Sequence, residues 1–222
     1  MGNNKDNQIT TVEYTQPIRL LGGAEVASCL LRPLVDSSMP LICADGGANT
    51  AMEFGLTPEL IIGDMDSFNG AFDGPVIHLS EQDTTDFEKC LYSVNAPLYL
   101  GYGFMGGQID HQLTALSVLV RYPDRRVILC GEKDICFCCP KQLDIDLPKG
   151  TRVSVFPMSD TRMSSTGLKW PLDGIELSPT TRTGTSNQAI GTLVSLMMEY
   201  GGAVVILPAK YLDAAKHALT SG

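Results

Sequence analysis

From Pro17 onward, short apolar runs alternate with stretches whose apolar residues recur at helical spacing. "PIRLLGG" is followed by "AEVASCLLRPLV", "PLICADGG" by "ANTAMEFG", and then comes "ELIIGDMDS". The rhythm continues through "VIHLS", "TTDFEKCLYSV", "APLYLGYG", "DHQLTALSVLVRY" and "RRVILCGE". This repeated strand–helix–strand pattern predicts an α/β fold with a mostly parallel sheet flanked by helices. After about residue 140 the texture changes. "QLDIDLPKG", "TRVSVFPMS", "STGLKWPLDGIELSP" and "GGAVVILP" are short, often alternating, and separated by Gly, Pro, Ser and Thr, the rhythm of a small β-sandwich. The expected organisation is a polar tail over residues 1–16, an α/β domain over 17–140 and a β-sandwich over 141–222, with a short helix in "YLDAAKHALTSG".

Composition narrows the possible partners. The 222 residues are 44% hydrophobic, ample for a packed core. No apolar run approaches the roughly 18 residues that span a bilayer, and the opening "MGNNKDNQITTVEYTQ" lacks a signal peptide's apolar stretch. A cytoplasmic protein with no membrane partner is expected. The net charge of −9 and the scatter of the 16 basic residues argue against a nucleic-acid surface. Seven cysteines are mostly set in apolar segments, and "CFCC" (Cys136, Cys138, Cys139) lacks the CxxC spacing of zinc sites, so buried reduced thiols are expected.

Five strand-to-helix switches carry glycines or acids: Gly22–Gly23, "ADGGAN" (Asp45, Gly46, Gly47, Asn49), "GDMDS" (Asp64, Asp66), "EQDTTDFEK" (Asp83, Asp86, Glu88, Lys89) and "GGQIDHQL" (Asp110, His111). In a parallel sheet these switches share the carboxyl edge, where ligands bind. At least six carboxylates would meet there, a density whose self-repulsion calls for a hard cation. Singly, Asp86 and Asp110 read as helix-start acids that complement free N–H groups, and the glycines as permissive turns. The pair in "GDMDS" favours a metal, because capping needs one carboxylate and a metal bound with phosphates takes one or two. Glycine-rich helix starts can cradle phosphate, yet neither GxxxxGK[ST] nor GxGxxG is present.

In order, "ADGGAN", "GDMDS", "DTTDFEKCL", "GGQIDHQL", "GLKWPL" and "TSN" resemble the motifs of the thiamine pyrophosphokinases over roughly residues 17–210. The resemblance implies transfer of the pyrophosphoryl group of ATP to the hydroxyl of thiamine, with Mg²⁺, by a homodimer whose active sites lie between subunits. It implies a Rossmann-like nucleotide-binding half and a thiamine-binding sandwich. Asp64, Asp66 and Asp86 would handle metal and phosphate, with Asp45, Asp83 and Asp110 in the same cleft. Gly22, Gly23, Gly46, Gly47, Asn49, Lys89, Gln108 and His111 would face the nucleotide. Trp170, Ser186 and Asn187 would form the thiamine side, with Gln82 from the partner chain. An aromatic face suits the thiamine cation, although composition alone would place Trp170 in the sandwich core. The family usually carries arginine at the Gln108 position, and an amide offers phosphate only neutral hydrogen bonds. Two other readings are a Mg-dependent phosphohydrolase with an aspartate nucleophile and a non-catalytic module for a cationic vitamin or nucleotide.

Overall fold

The computed structural model describes residues 11–221, so most of the expected N-terminal tail lies outside the described residues. In chain order the first half holds β1 (Val12–Glu13), β2 (Ile18–Leu21), α1 (Ser28–Val35), β3 (Leu41–Ala44), α2 (Gly47–Glu53), β4 (Leu60–Gly63), β5 (Val76–His78), α3 (Asp86–Ser93), β6 (Val94–Asn95), β7 (Tyr99–Tyr102), α4 (Ile109–Arg121) and β8 (Val127–Cys130). The second half holds β9 (Asp134–Cys138), β10 (Gln142–Asp146), β11 (Arg152–Pro157), β12 (Thr161–Thr166), β13 (Glu176–Leu177), β14 (Gly184–Gln188), β15 (Leu193–Tyr200), β16 (Ala203–Pro208) and, after a short 3₁₀ turn, α5 (Leu212–Thr220). Val12–Glu13, inside the expected tail, pair in parallel with β6.

Six strands in the order β8-β7-β2-β3-β4-β5 pair in parallel, each reached from its predecessor by a crossover. Strands β2, β3, β4, β7 and β8 are buried along their whole length, so each strand feeds both faces of the sheet. Leu20, Ile42, Ile62 and Tyr99 pack on one face with Phe87 and Leu91 of α3 and Val118 and Leu119 of α4. Leu21, Cys43, Ile61 and Leu100 pack on the other with Leu34 of α1 and Ala48 and Ala51 of α2.

The sheet does not stop at the change of texture. β9 runs antiparallel to β8, and β16, β11 and β14 follow it, giving ten strands in one sheet. A second sheet, β10-β15-β12-β13, is antiparallel throughout. Leu143 and Ile145 of β10, Val194 and Leu196 of β15, and Val153 and Val205 of the large sheet belong to the same apolar cluster as Leu21 and Ile61. The sandwich core is thus continuous with one face of the α/β core, and β9 couples the halves by pairing with both.

All seven cysteines are free thiols. Five are buried, as expected of thiols in apolar segments, but Cys29 is exposed and Cys138 only partly covered. The "CFCC" segment ends β9, and burial pushes Cys136 and Cys139 up to about 12, which leaves them unreactive thiols. No helix among the described residues is long and apolar enough to cross a membrane.

Candidate active site

The acids of the first half are delivered by strand ends. Asp45 follows β3 directly, Asp64 follows β4, and Asp86 opens α3, whose start is capped by the Thr85 hydroxyl accepting from the Glu88 N–H. One carboxylate oxygen from each of Asp45, Asp64 and Asp86 comes within 4.8 Å of the others. Gly63 makes this approach feasible, because a Cβ there would sit 2.6 Å from Asp45 Cβ and 3.1 Å from Asp86 Oδ1. Two of the turn residues, Asp45 and Met65, adopt positive φ angles of 38° and 65°, conformations that a non-glycine residue holds only when its surroundings enforce them. The enforcing contacts are visible at Asp45: its N–H donates to Ile62 O at 2.9 Å, and its Oδ2 accepts from the Ser67 N–H at 3.1 Å.

Asp45 is 1% exposed, and its Oδ1 is buried without a hydrogen-bond partner. Burial pushes its carboxyl above the usual range, with the nearby acids adding to the effect. Asp86 is also pushed up by burial, against the opposing pull of Lys89. Asp64 moves the other way, chiefly because the Gln82 side chain donates to its Oδ2 at 2.7 Å. A three-carboxylate set with one orphaned buried oxygen has the chemistry of a hard-cation site, so these residues fit a divalent metal.

The chain already supplies one cation of its own. Lys89, one turn into α3, is 2% exposed, with Nζ 3.1 Å from Asp86 Oδ1 and 3.8 Å from Asp64 Oδ2. It partly neutralises the cluster from beneath. The approach loops are tied down by residues to which spacing drew no attention. Glu81 accepts from the Asp83 and Thr84 N–H groups, the Thr84 hydroxyl and the Tyr92 hydroxyl, which together draw its carboxyl down to about 2. Asn49, expected to face nucleotide, donates to Ser67 O and accepts from the Asn69 N–H, stapling the loop behind Asp66. Asp66 itself accepts from the Ser67 hydroxyl and lies outside the tight set of three, whereas Asp45, expected only to line the cleft, is inside it.

A cleft of about 950 Å³ opens over this cluster. Gly22, Gly23, Gly46, Asn49, Asp64, Asp66, Gln82, Asp86, Lys89, Gln108, Asp110 and His111 line it, as does Phe104, whose ring stands 4.6 Å from that of Phe87. Asp83 is exposed and is not a lining residue. Gly47 lies behind the wall, where a Cβ would meet Leu21 O at 2.0 Å, so its part is to let α2 pack on β2. Gln82, assigned by resemblance to a partner's thiamine site, here donates to Asp64 of its own chain. Gln108 precedes α4 without capping it, and no arginine is among the lining residues.

The second-half candidates form a separate group. Trp170 is 54% exposed, which corrects the reading of it as a sandwich core residue. Its backbone is fixed by Asn187, which is 4% exposed: Asn187 Oδ1 accepts from the Trp170 N–H at 3.1 Å and Nδ2 donates to Trp170 O at 2.6 Å. Ser186 holds a φ of 58°, with its N–H donating to the Ser154 hydroxyl. Asn187 therefore presents the tryptophan, and neither it, Ser186 nor Trp170 lines the acidic cleft of the same chain.

A cleft at the carboxyl edge of parallel strands, walled by acids around an internal ammonium, fits the class of proteins that take a hard cation together with a phosphorylated ligand. Residues 31–130 match the family model of the thiamin pyrophosphokinase catalytic domain, and residues 138–199 that of the thiamin pyrophosphokinase vitamin B1 binding domain. The chain is 30% identical over 193 residues to thiamine pyrophosphokinase 1 of Oryza sativa subsp. japonica, across 69% of this chain and 73% of that protein. It is 30% identical over 185 residues to thiamine pyrophosphokinase 1 of Arabidopsis thaliana, across 66% and 69%. Thiamin pyrophosphokinase from Geobacillus thermodenitrificans is similar in structure, with a TM-score of 0.73, 25% identity, and coverage of 87% of this chain and 97% of that one. This chain belongs to the thiamine pyrophosphokinase family.

Proposed function

We propose that this protein transfers the pyrophosphoryl group of ATP to the hydroxyl of thiamine, giving thiamine pyrophosphate and AMP. The observation that carries the reading is the convergence of Asp45, Asp64 and Asp86 around Lys89 in a chain of this family. In-line attack of the hydroxyl on the β-phosphorus depends mainly on positioning and on neutralising phosphate charge. Asp45, Asp64 and Asp86, with Asp66 beside them, are the residues we assign to a divalent metal, Mg²⁺ by the chemistry of an all-oxygen set. When bound, such an ion offsets the charge of the ATP phosphates. Gly23 and Gly46 leave space for the phosphates, Gly22 lets the end of β2 approach Gly103 and Phe104, where a Cβ would meet Gly103 O at 2.6 Å, and Gln108, Asp110 and His111 face the rest of the nucleotide from the start of α4. A carboxylate near the hydroxyl can take its proton, and of Asp83 and Asp86 we assign this to Asp86, because it lines the cleft and Asp83 does not.

Trp170 offers its face to the cationic thiazolium, fixed in place by Asn187. Because Trp170 lies outside the cleft of its own chain, we assign the working unit to a cytoplasmic homodimer in which one protomer's tryptophan meets its partner's acids. The Rossmann-like part up to about residue 140 then handles the nucleotide, and residues 141–222 the vitamin. Incubation with ATP, MgCl₂ and thiamine, followed by nucleotide analysis, tests the proposal. AMP formed one-for-one with thiamine pyrophosphate is expected. Thiamine-independent release of phosphate would instead identify a phosphohydrolase, and intact ATP a binding protein.

A further inference from the structure

Trp170 is not an empty aromatic face. The ammonium of the residue before it, Lys169, lies 4.6 Å from the centroid of the indole ring. That is inside the range in which a cation is held by the ring's quadrupole. Both side chains are exposed, and the backbone beneath them is fixed: the Lys169 N–H donates to Gln188 O at 2.8 Å, and Asn187 clamps Trp170 from both sides. The lysine is therefore tethered next to the ring it covers, at an effective concentration that needs no diffusion.

We propose that Lys169 is a self-ligand of the thiamine face: its ammonium occupies the surface of Trp170 in the free protein and must leave before the thiazolium cation docks. This inference rests on the reading of Trp170 as the thiamine face. Two effects act in the same direction. The ammonium competes for the ring, and once displaced it remains a like charge close to the incoming cation. Lys169 therefore sets thiamine affinity below what the bare tryptophan would give and keeps the aromatic face covered between turnovers. An exposed cation–π contact of this kind corresponds to roughly a two- to fivefold change in binding.

The chain contains a single tryptophan, so emission excited selectively at tryptophan, beyond the absorption of the seven tyrosines, reports this ring alone. Thiamine is titrated into the full-length protein, wild type, Lys169→Met and Lys169→Arg, with emission as the binding readout and thiamine and ATP KM measured alongside. The Lys169→Met protein is expected to bind thiamine about two- to fivefold more tightly, with a lower thiamine KM and an unchanged ATP KM. Lys169→Arg, which keeps a cation able to stack on the ring, is expected to bind no more tightly than wild type. Emission of the ligand-free Lys169→Met protein should also differ from wild type, because the cation has left the indole. Equal or weaker thiamine binding by Lys169→Met overturns the inference, and so does tightening by Lys169→Arg to the same degree. A Trp170→Ala protein, assayed by thiamine KM, separates the two levels. If it binds thiamine normally, the assignment of the thiamine face has failed; if it is impaired while Lys169→Met shows no gain, only the self-ligand idea has.

Discussion

Lys89→Met tests whether the internal ammonium holds the acid cluster together. The gross attraction at 3.1 Å from Asp86 and 3.8 Å from Asp64 is about 5 and about 4 kcal/mol at an effective dielectric of 20. Net effects are smaller, and removing one partner of a buried pair typically costs about 3–5 kcal/mol. The Asp86 side chain is 33% exposed, so solvent screening reduces the expectation to about 2–3 kcal/mol at neutral pH. The pH dependence fixes the sign. Asp86 already titrates above its ordinary value of 3.8 because it is buried, and loss of the ammonium raises it further. A carboxyl raised in the folded state contributes its stability below the unfolded value and loses it as pH climbs through the folded one. Destabilisation of the variant should therefore be small near pH 4 and grow toward pH 8. Urea unfolding in EDTA at several pH values measures it, and a repeat in MgCl₂ should stabilise the variant more than the wild type, since three acids then lack their ammonium. A difference below about 1 kcal/mol that is flat with pH would refute the electrostatic account, because a change limited to packing carries no proton linkage.

Asp64→Asn and Asp66→Asn should each lower turnover by at least about a hundredfold, the scale of losing an electrostatic contact in the transition state. Without metal, Asp66→Asn should melt at or above wild type, because a like charge has been removed, whereas Asp64→Asn also loses its ion pair with Lys89 and should melt lower. Gln108→Arg should lower the ATP KM about fivefold and leave the thiamine KM unchanged, since charge-assisted bonds to phosphate are roughly twice as strong as neutral ones. An unaltered ATP KM would place residue 108 away from the phosphates. Gly63→Ala should cost about 1–3 kcal/mol, as overpacking does, because its Cβ would lie 2.6 Å from Asp45 Cβ. A normal melting temperature with intact metal-dependent activity would show that the strand end yields freely.

The helical and continuous apolar periods located β2, β3, β4, β7, β8 and the helices between them, since strands buried on both faces leave an unbroken apolar run, whereas the two-residue β6 fell inside the expected helix "TTDFEKCLYSV". The acids were legible for the same reason: strand-to-helix switches in a parallel sheet share one edge. The continuity of the sheet through β16, β11 and β14 was not, because the partners lie far apart in the chain, from about 30 residues between β11 and β14 to 68 between Phe137 and Val205, and leave no local trace. Composition suggested a separate sandwich, while pairing made it an extension of the first sheet. Within the site, spacing could not rank Asp45 above Asp66, because the difference lies in burial and a positive φ rather than in residue type. Glu81 was missed because its work is done with backbone N–H groups, which have no signature in sequence.

Both places assigned to a positive charge are already held by a lysine of this chain. Lys89 stands among the acids proposed for the metal, and Lys169 lies over the ring proposed for the thiazolium. Their burial makes them act differently. Lys89 is enclosed and in contact with two carboxylates, so it cannot leave without exposing uncompensated charge, and it works as a permanent part of the cluster. Lys169 is exposed and needs only a rotamer change to swing into solvent, so it works as an exchangeable occupant. The acid site therefore gains order from its internal cation at some loss of metal affinity, since a net charge of about −2 attracts Mg²⁺ less than −3 would. The aromatic site loses affinity for thiamine without gaining comparable rigidity, because Asn187 rather than Lys169 fixes the tryptophan. Substituting the two lysines should then separate the two effects: losing Lys89 lowers the stability of the fold while strengthening its pull on a metal, and losing Lys169 changes only what the fold binds.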